Sequence, residues 1–311
     1  MNNISQRDAF WNRVYEIALN DKNIVIVSAD MGAPALDKIR HNLASQFVNV
    51  GIAEQNAITL ASGLALSGKR VFTYAIAPFI TMRCLEQIRV NNAMMKIPIT
   101  IVGVGAGFGY EDSGPTHHLL EDIAIMRSIP NVTVHSITDS IMATACAETS
   151  CSISNANYVR IDRQVLPDIY KSDADFSAGI NLLKEGKDFA IISTGTMAHA
   201  ALKAANELAK DGYDVRVIDL HTFPVNASNL LKTLSGVSKL ATVEEHFMPG
   251  GLGSAVCEVL ADNEILIPIK RLGLPHDKSY CYEYGGREAL RGYYGMDYGS
   301  MINNLRHFFG K

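Results

Sequence analysis

The sequence lacks the features that would indicate a zinc, disulfide-linked or nucleic-acid-binding protein. Its five cysteines form no C-x-x-C pair and no Cys/His grouping with zinc spacing, which is typical of small buried side chains in a reducing compartment. Lys and Arg total 28 against 32 Asp and Glu, so the basic excess that binds phosphate backbones is missing. We therefore expect no nucleic-acid partner and no metal ligands within this chain.

Membrane and export signals are also missing. No apolar run approaches the roughly eighteen residues that a membrane span needs, and the opening MNNISQRDAF lacks a basic start followed by an apolar stretch. We expect a cytoplasmic protein that does not bind membranes. With 311 residues, of which 48% are hydrophobic, the chain can bury two ordinary cores.

Apolar runs of strand length alternate with segments of helical period. The first half predicts strands at 24–28, 47–51, 70–74, 98–104, 132–135 and 158–161, and helices at 5–19, 55–66, 78–95 and 119–127 and from 139. This rhythm predicts a parallel sheet covered by helices. A polar stretch with Pro167 and Gly179 follows. We place a first domain at 1–165, a linker at 166–186 and a smaller α/β domain at 187–311, with its final strand at 265–271.

Glu54 is the first candidate for chemistry. It lies in NVGIAEQNA, residues 49–57, at a strand-to-helix junction. Ligands of open α/β folds collect at this carboxyl edge of the sheet, so a carboxylate there can be catalytic. A first-turn glutamate that complements the helix dipole fits the same pattern.

A glycine-rich loop and two further side chains are the other candidates. The loop GVGAGFGYEDSGPTHH, residues 103–118, carries two acids and the adjacent His117 and His118, which suits sugar hydroxyls or an ordinary surface loop. Phe79 opens a helix and is either a core residue or a face for a planar ring. Arg163 follows the last strand of the first domain, where its fork suits a phosphate or a surface ion pair.

These segments together resemble a known family. GIAEQNAITLASGLA, PFITMRCLEQIR, YEDSGPTHH and DRQVLP resemble, in order and approximate spacing, the pyrimidine-binding domain of transketolases. IISTGTMAHAALKAANEL, DLHTFP and TVEEHFMPGGLGSAV resemble the C-terminal domain of that superfamily. The resemblance covers nearly the whole chain. It implies an α/β thiamine-diphosphate-binding fold, a parallel sheet with helices on both faces, followed by a smaller α/β C-terminal domain.

The resemblance also implies roles for single residues. Glu54 would hydrogen-bond a ring nitrogen of the cofactor's aminopyrimidine, Phe79 would pack on that ring, and Asp30 would lie near the cofactor. Burial disfavours the charged form of a carboxyl, so we expect Glu54 to remain protonated and to donate.

Four residues would face the substrate. Asp112 and His117 would contact donor-sugar hydroxyls, with His117 also catalytic, and Arg163 would bind a substrate phosphate. Arg7 is a second candidate for that phosphate.

The family resemblance further implies a partner. Full-length transketolases carry an earlier domain with a G-D-G motif that holds Mg²⁺ and the diphosphate, and this chain has no G-D-G. We expect the C-terminal subunit of a split enzyme that transfers a two-carbon ketol unit from a ketose or ketose phosphate to an aldose. Its partner would be an N-terminal subunit holding most of the diphosphate and Mg²⁺, in an α2β2 assembly.

Three alternatives stay open. One is a 2-oxoacid dehydrogenase beta subunit, against which the GPTHH segment argues, and another is a deoxyxylulose-phosphate-synthase-like subunit, favoured by the apolar PF segment. The third is a non-catalytic assembly subunit. The loop is one residue longer than the family's E-D-G-P-T-H, and no histidine occurs at 102–104, so the sequence does not identify donor or acceptor.

Overall fold

The computed structural model describes residues 4–32 and 34–310, which form two sheets. One has seven strands in the order β10-β5-β6-β4-β3-β1-β2, and the other has five in the order β12-β11-β8-β9-β7. The strands are β1 (Ile24–Ser28), β2 (Phe47–Asn49), β3 (Arg70–Ile76), β4 (Thr100–Val104), β5 (Val132–Ser136), β6 (Ala156–Ile161), β7 (Ile180–Lys184), β8 (Phe189–Ser193), β9 (Val215–Leu220), β10 (Thr222–Phe223), β11 (Lys239–Phe247) and β12 (Ile269–Leu274).

Helices cover both sheets. They are α1 (Gln6–Ala18), α2 (Pro34–Asn42), α3 (Glu54–Leu66), α4 (Ala77–Thr81), α5 (Leu85–Gln87), α6 (Asp122–Arg127), α7 (Ser140–Thr149), α8 (Met197–Lys210), α9 (Ala227–Thr233), α10 (Leu252–Asp262), α11 (Arg287–Tyr293) and α12 (Tyr298–Phe309). Side-chain caps explain two of the starts, because Ser5 accepts from the backbone N–H of Asp8, and Asp139 from that of Met142.

The large sheet matches the expected parallel pattern. Strands β1, β4 and β6 are buried along their whole length, which is why they appear in the sequence as short, mostly apolar runs. All pairings among β1 to β6 are parallel. The parallel order brings the carboxyl ends of these strands to one edge of the sheet.

The predicted helix at 78–95 is wrong as a single element. The chain instead forms α4, a 3₁₀ turn at Met82–Cys84, α5 and a π-helical segment at Ile88–Met94. The hydroxyl of Thr81 donates to the carbonyl of Ala77 at 2.6 Å, a back-bond that tends to bend helices. The irregular backbone begins three residues after Phe79, at the edge where the candidate residues lie.

Two strands differ from the expected division of the chain. Strand β7 lies inside the predicted linker and pairs antiparallel with β9, so the second sheet begins before residue 187. Leu182 of this edge strand is exposed, so β7 is not indicated in the sequence by a run of buried apolar residues. Strand β10, from the second half, pairs antiparallel with β5 of the large sheet. The boundaries 1–165, 166–186 and 187–311 themselves stay a prediction.

A buried ion cluster joins the two halves. Arg287 of α11 donates to Asp162, just after β6, at 2.6 Å and to Glu245 of β11 at 2.7 Å. Burial alone would raise the pKa of Glu245, but Arg287 and Arg291 outweigh it and hold that pKa at about 2. Glu245 is therefore ionised at neutral pH, and the cluster couples the second half of the chain to the end of the large sheet.

Candidate active site

Glu54 is the first residue of α3, beyond the end of β2. The turn before it contains Gly51 at a φ of 72°, a conformation that glycine adopts without a steric penalty. The Glu54 side chain is only 4% exposed, and its Oε2 accepts a hydrogen bond from Nη1 of Arg83 at 2.6 Å. The carboxylate therefore faces a specific partner instead of solvent.

Arg83 is a site residue that the sequence analysis missed. Its guanidinium carbon lies 4.5 Å from the centre of the Phe79 ring, so the same cation contacts both Glu54 and Phe79. The signal available in the sequence was the spacing of four residues between Phe79 and Arg83, which places both on one side of a helical turn.

His117 lies on the other side of Phe79. The two rings meet edge to face with centroids 5.1 Å apart, and the ring of Tyr110 lies 6.1 Å from His117. The Thr116 hydroxyl is 3.1 Å from Nδ1 of His117. The glycine-rich loop after β4 thus brings a half-exposed histidine next to the aromatic residue that follows β3.

Glu54, Arg83, Phe79 and His117 thus form a row of contacts. His118, the neighbour of His117, is buried and turned away from this row. It meets the Phe108 ring edge to face at 5.1 Å, and its Nε2 has no hydrogen-bond partner among the described residues. Burial lowers the pKa of His118 more than the nearby Glu245 raises it. The structure therefore distinguishes the two histidines: His117 is available to a ligand, and His118 packs in the interior.

Arg163 closes the far end of the row. Its guanidinium stacks 4.6 Å from the centre of the Tyr110 ring, and its Nε donates to the carbonyl of Gly109 at 2.9 Å. Its Nη2 donates to Asp112 at 3.1 Å, where the Asp112 side chain is 71% exposed. Arg163, which we expect to bind phosphate, is thus in direct contact with Asp112, which we expect to bind sugar hydroxyls.

A cleft of about 360 Å³ places Arg7 beside Arg163. Arg7 is half-buried, and its Nε donates to Asp8 at 2.8 Å. The cleft is also lined by Phe108, Gly109, Glu111, Asp162, Gln164 and Arg287. It is large enough for a small anionic group, and two of its arginines stand at positions expected to bind one.

Asp30 follows β1 at the same edge of the sheet but does not join the row. Its Oδ1 accepts from Nδ2 of Asn49 at 3.0 Å, and its own N–H donates to Oδ1 of Asn49 at 3.0 Å. In the part of the chain that the structure describes, no hydrogen bond links Asp30 to Glu54 or to Phe79.

Residues 4–32 and 34–310 contain no group of three or more His, Cys, Asp or Glu side chains arranged to hold a metal ion. No helix within these residues is long and apolar enough to cross a bilayer.

Comparison with known proteins gives the family. Residues 2–168 match the transketolase pyrimidine binding domain, and residues 178–300 match the transketolase C-terminal domain. The chain is 33% identical to an apulose-4-phosphate transketolase subunit of Phocaeicola vulgatus, over 100% of this chain and 99% of that protein. It is 33% identical to 6-deoxy-6-sulfo-D-fructose transketolase subunit SqwH of Clostridium sp., over 86% of this chain and 84% of the relative.

A solved structure described as a split gene transketolase, inactive beta4 tetramer, superimposes with a TM-score of 0.85 at 30% identity, covering 98% of both chains. The chain belongs to the transketolase family. The predictions of family, fold class and transketolase activity are confirmed, and membership implies dependence on thiamine diphosphate. The roles of single residues and the domain boundaries stay predictions.

Proposed function

We propose that this chain is the C-terminal component of a two-component transketolase and that its side of the active site is the row from Glu54 to Arg163. The observation that carries the proposal is the unbroken set of contacts linking Glu54, Arg83, Phe79 and His117. A buried carboxylate and an aromatic face suit an aminopyrimidine, and a histidine suits the hydroxyls of a sugar.

At the cofactor end, Glu54 hydrogen-bonds the aminopyrimidine and Phe79 packs against it. Glu54 is suited to this because its carboxylate is fixed at the start of α3 and shielded from water. Asp30 lies at the neighbouring strand end, within the region that the cofactor would border. When bound, thiamine diphosphate supplies the thiazolium that accepts the electron pair of the cleaved carbon–carbon bond.

At the substrate end, His117 and Asp112 meet the hydroxyls of the donor sugar, and His117 moves a proton there. Arg163 and Arg7 bind an anionic group on the sugar. The cleft that these arginines line supports this, and so do the names of two relatives, which specify apulose-4-phosphate and 6-deoxy-6-sulfo-D-fructose. Bidentate binding by an arginine fork suits a phosphate or a sulfonate. We therefore propose an anionic ketose as donor and an aldose as acceptor.

The diphosphate and Mg²⁺ belong, in this proposal, to a separate N-terminal subunit in an α2β2 assembly in the cytoplasm. Relatives named as single subunits support a partner, and the solved beta4 tetramer is described as inactive. Exposed apolar side chains next to Glu54 and Arg83 offer a surface for that partner: Ile52 is 80% exposed and Met82 is 41% exposed.

Cofactor binding and turnover test this directly. Thiamine diphosphate and Mg²⁺ are titrated into this chain alone, into the N-terminal subunit alone and into their mixture, and ketol transfer from a ketose phosphate is followed. We expect both binding and turnover only in the mixture. Tight Mg²⁺-dependent binding and turnover by this chain alone would contradict the two-component proposal, and decarboxylation of pyruvate by the mixture would favour a synthase or dehydrogenase instead.

Glu54→Gln separates a catalytic subunit from an assembly subunit. Loss of the carboxyl is expected to lower kcat by about 10²- to 10⁴-fold, the range for a group that assists proton transfer. Glu86→Gln is the matched control, because Glu86 is an exposed glutamate on the nearby α5. Full turnover by Glu54→Gln in the mixture would support a chain that serves only assembly.

A further inference from the structure

We infer that Arg83 and the cofactor's aminopyrimidine compete for the same two partners, Glu54 and Phe79. The inference rests on the proposed function, because that function assigns the pyrimidine to these two residues. In the structure Arg83 holds both: its Nη1 donates to Glu54 at 2.6 Å, and its guanidinium carbon lies 4.5 Å from the centre of the Phe79 ring.

The two groups are chemically alike. A guanidinium is planar, presents N–H donors in its own plane and stacks on aromatic faces. An aminopyrimidine is also a planar group with a ring-bound amino donor and an aromatic face. A buried carboxylate beside a phenyl ring therefore suits either one, and a ligand that takes both contacts has to displace Arg83.

Arg83 is held loosely enough to be displaced. Its side chain is 44% exposed, against 4% for Glu54, and within the described residues its guanidinium makes one hydrogen bond, to Glu54. It stands in the 3₁₀ turn Met82–Cys84, between α4 and α5, where the backbone is not fixed by a continuous helix. A partly exposed arginine can move into solvent without leaving its charge buried.

Isothermal titration calorimetry of the two-subunit complex tests this. Thiamine diphosphate with Mg²⁺ is titrated into wild type and into Arg83→Met, and the two Kd values are compared. Removing a competitor held by one cation–π contact and one partly exposed ion pair predicts a Kd lower by about tenfold.

Two further variants keep the result interpretable. Arg89→Met removes one positive charge from the adjacent segment Ile88–Met94, where Arg89 is exposed, and should leave Kd at the wild-type value. Arg83→Gln carries the same test if Arg83→Met does not assemble with the partner.

An unchanged or higher Kd in the Arg83 variants, with wild type binding normally, would overturn the competition alone and show that Arg83 assists binding. A wild-type complex that binds no cofactor would overturn the proposed function and this inference with it.

Discussion

Arg287 is expected to hold the two halves of the chain together, and Arg287→Met removes its charge while keeping an apolar stem. The side chain of Arg287 is 10% exposed, and those of its partners Asp162 and Glu245 are 1% and 5% exposed. It is thus a buried cation between two buried anions on opposite sides of the junction. Breaking such a pair from one side leaves an uncompensated buried charge.

The expected loss of stability depends on which hydrogen bonds each carboxylate keeps when Arg287 is replaced. Glu245 retains Nε of Arg291 at 2.6 Å and the backbone N–H of Phe108 at 2.8 Å, so it stays paired. Asp162 loses the donor to its Oδ2 and keeps, among the described residues, the backbone N–H of Gln164 on Oδ1. One orphaned carboxylate predicts a loss of about 3 kcal/mol in the free energy of unfolding, at the lower end of the usual range of about 3–5 kcal/mol. Adding Asp162→Asn should recover about half of this loss.

Urea unfolding at pH 7, followed by two signals, is the measurement. Trp11 is the only tryptophan and is buried in the first half, so its fluorescence reports that half, while circular dichroism reports the whole chain. We expect coincident transitions for wild type and separated transitions for Arg287→Met. Arg13→Met is the control, because Arg13 pairs with the exposed Glu16 and Glu148 and should cost less than about 1 kcal/mol. A similarly small loss for Arg287→Met would refute the reasoning.

Two further outcomes are expected. Burial raises the pKa of Asp219 to about 7 against the opposing hydroxyls of Thr138 and Tyr170, so its contribution to stability is greatest below about pH 4 and falls as pH rises towards 7. This fall in the free energy of unfolding is at most about 4 kcal/mol. Asp219→Asn should make it smaller, and an unchanged profile of unfolding midpoint against pH would contradict this. Arg163→Met should raise KM for a phosphorylated ketose by about 10- to 100-fold while Kd for thiamine diphosphate stays constant; an equal effect on an unphosphorylated ketose would argue against a phosphate contact.

Much of the fold was predictable because its central strands are buried on both faces. The strand expected at 24–28 is β1, Ile24–Ser28, and the helix expected at 55–66 is α3, Glu54–Leu66. Prediction failed where local chemistry overrides periodicity. The last strand was expected at 265–271, but proline cannot donate to a ladder, so β12 begins only after Pro268, and Leu266 is 97% exposed. Helix α2 has too few apolar residues for its period to be seen.

The candidate residues were predictable one by one, whereas the partner of Glu54 was not. Glu54 and Arg83 are 29 positions apart in the chain, and nothing in either segment indicates that an irregular turn will carry the guanidinium back to the carboxylate. The same turn breaks the expected helix at 78–95. A local departure from regular structure and an unforeseen contact at the site thus have one origin, as is common where backbone irregularity occurs near ligands.

The order of strands explains the order of residues in the row. Along the large sheet β6, β4, β3, β1 and β2 are successive neighbours. Their carboxyl ends lead to Arg163, to the loop of His117, to Phe79, to Asp30 and to Glu54, respectively. The contacts follow the same sequence from Arg163 through Tyr110 and His117 to Phe79, and Arg83 links Phe79 to Glu54. Strands β4, β3 and β1 lie between β6, which leads to Arg163, and β2, which leads to Glu54. Changes at Arg163 should therefore act on the substrate, and changes at Arg83, the partner of Glu54, should act on the cofactor.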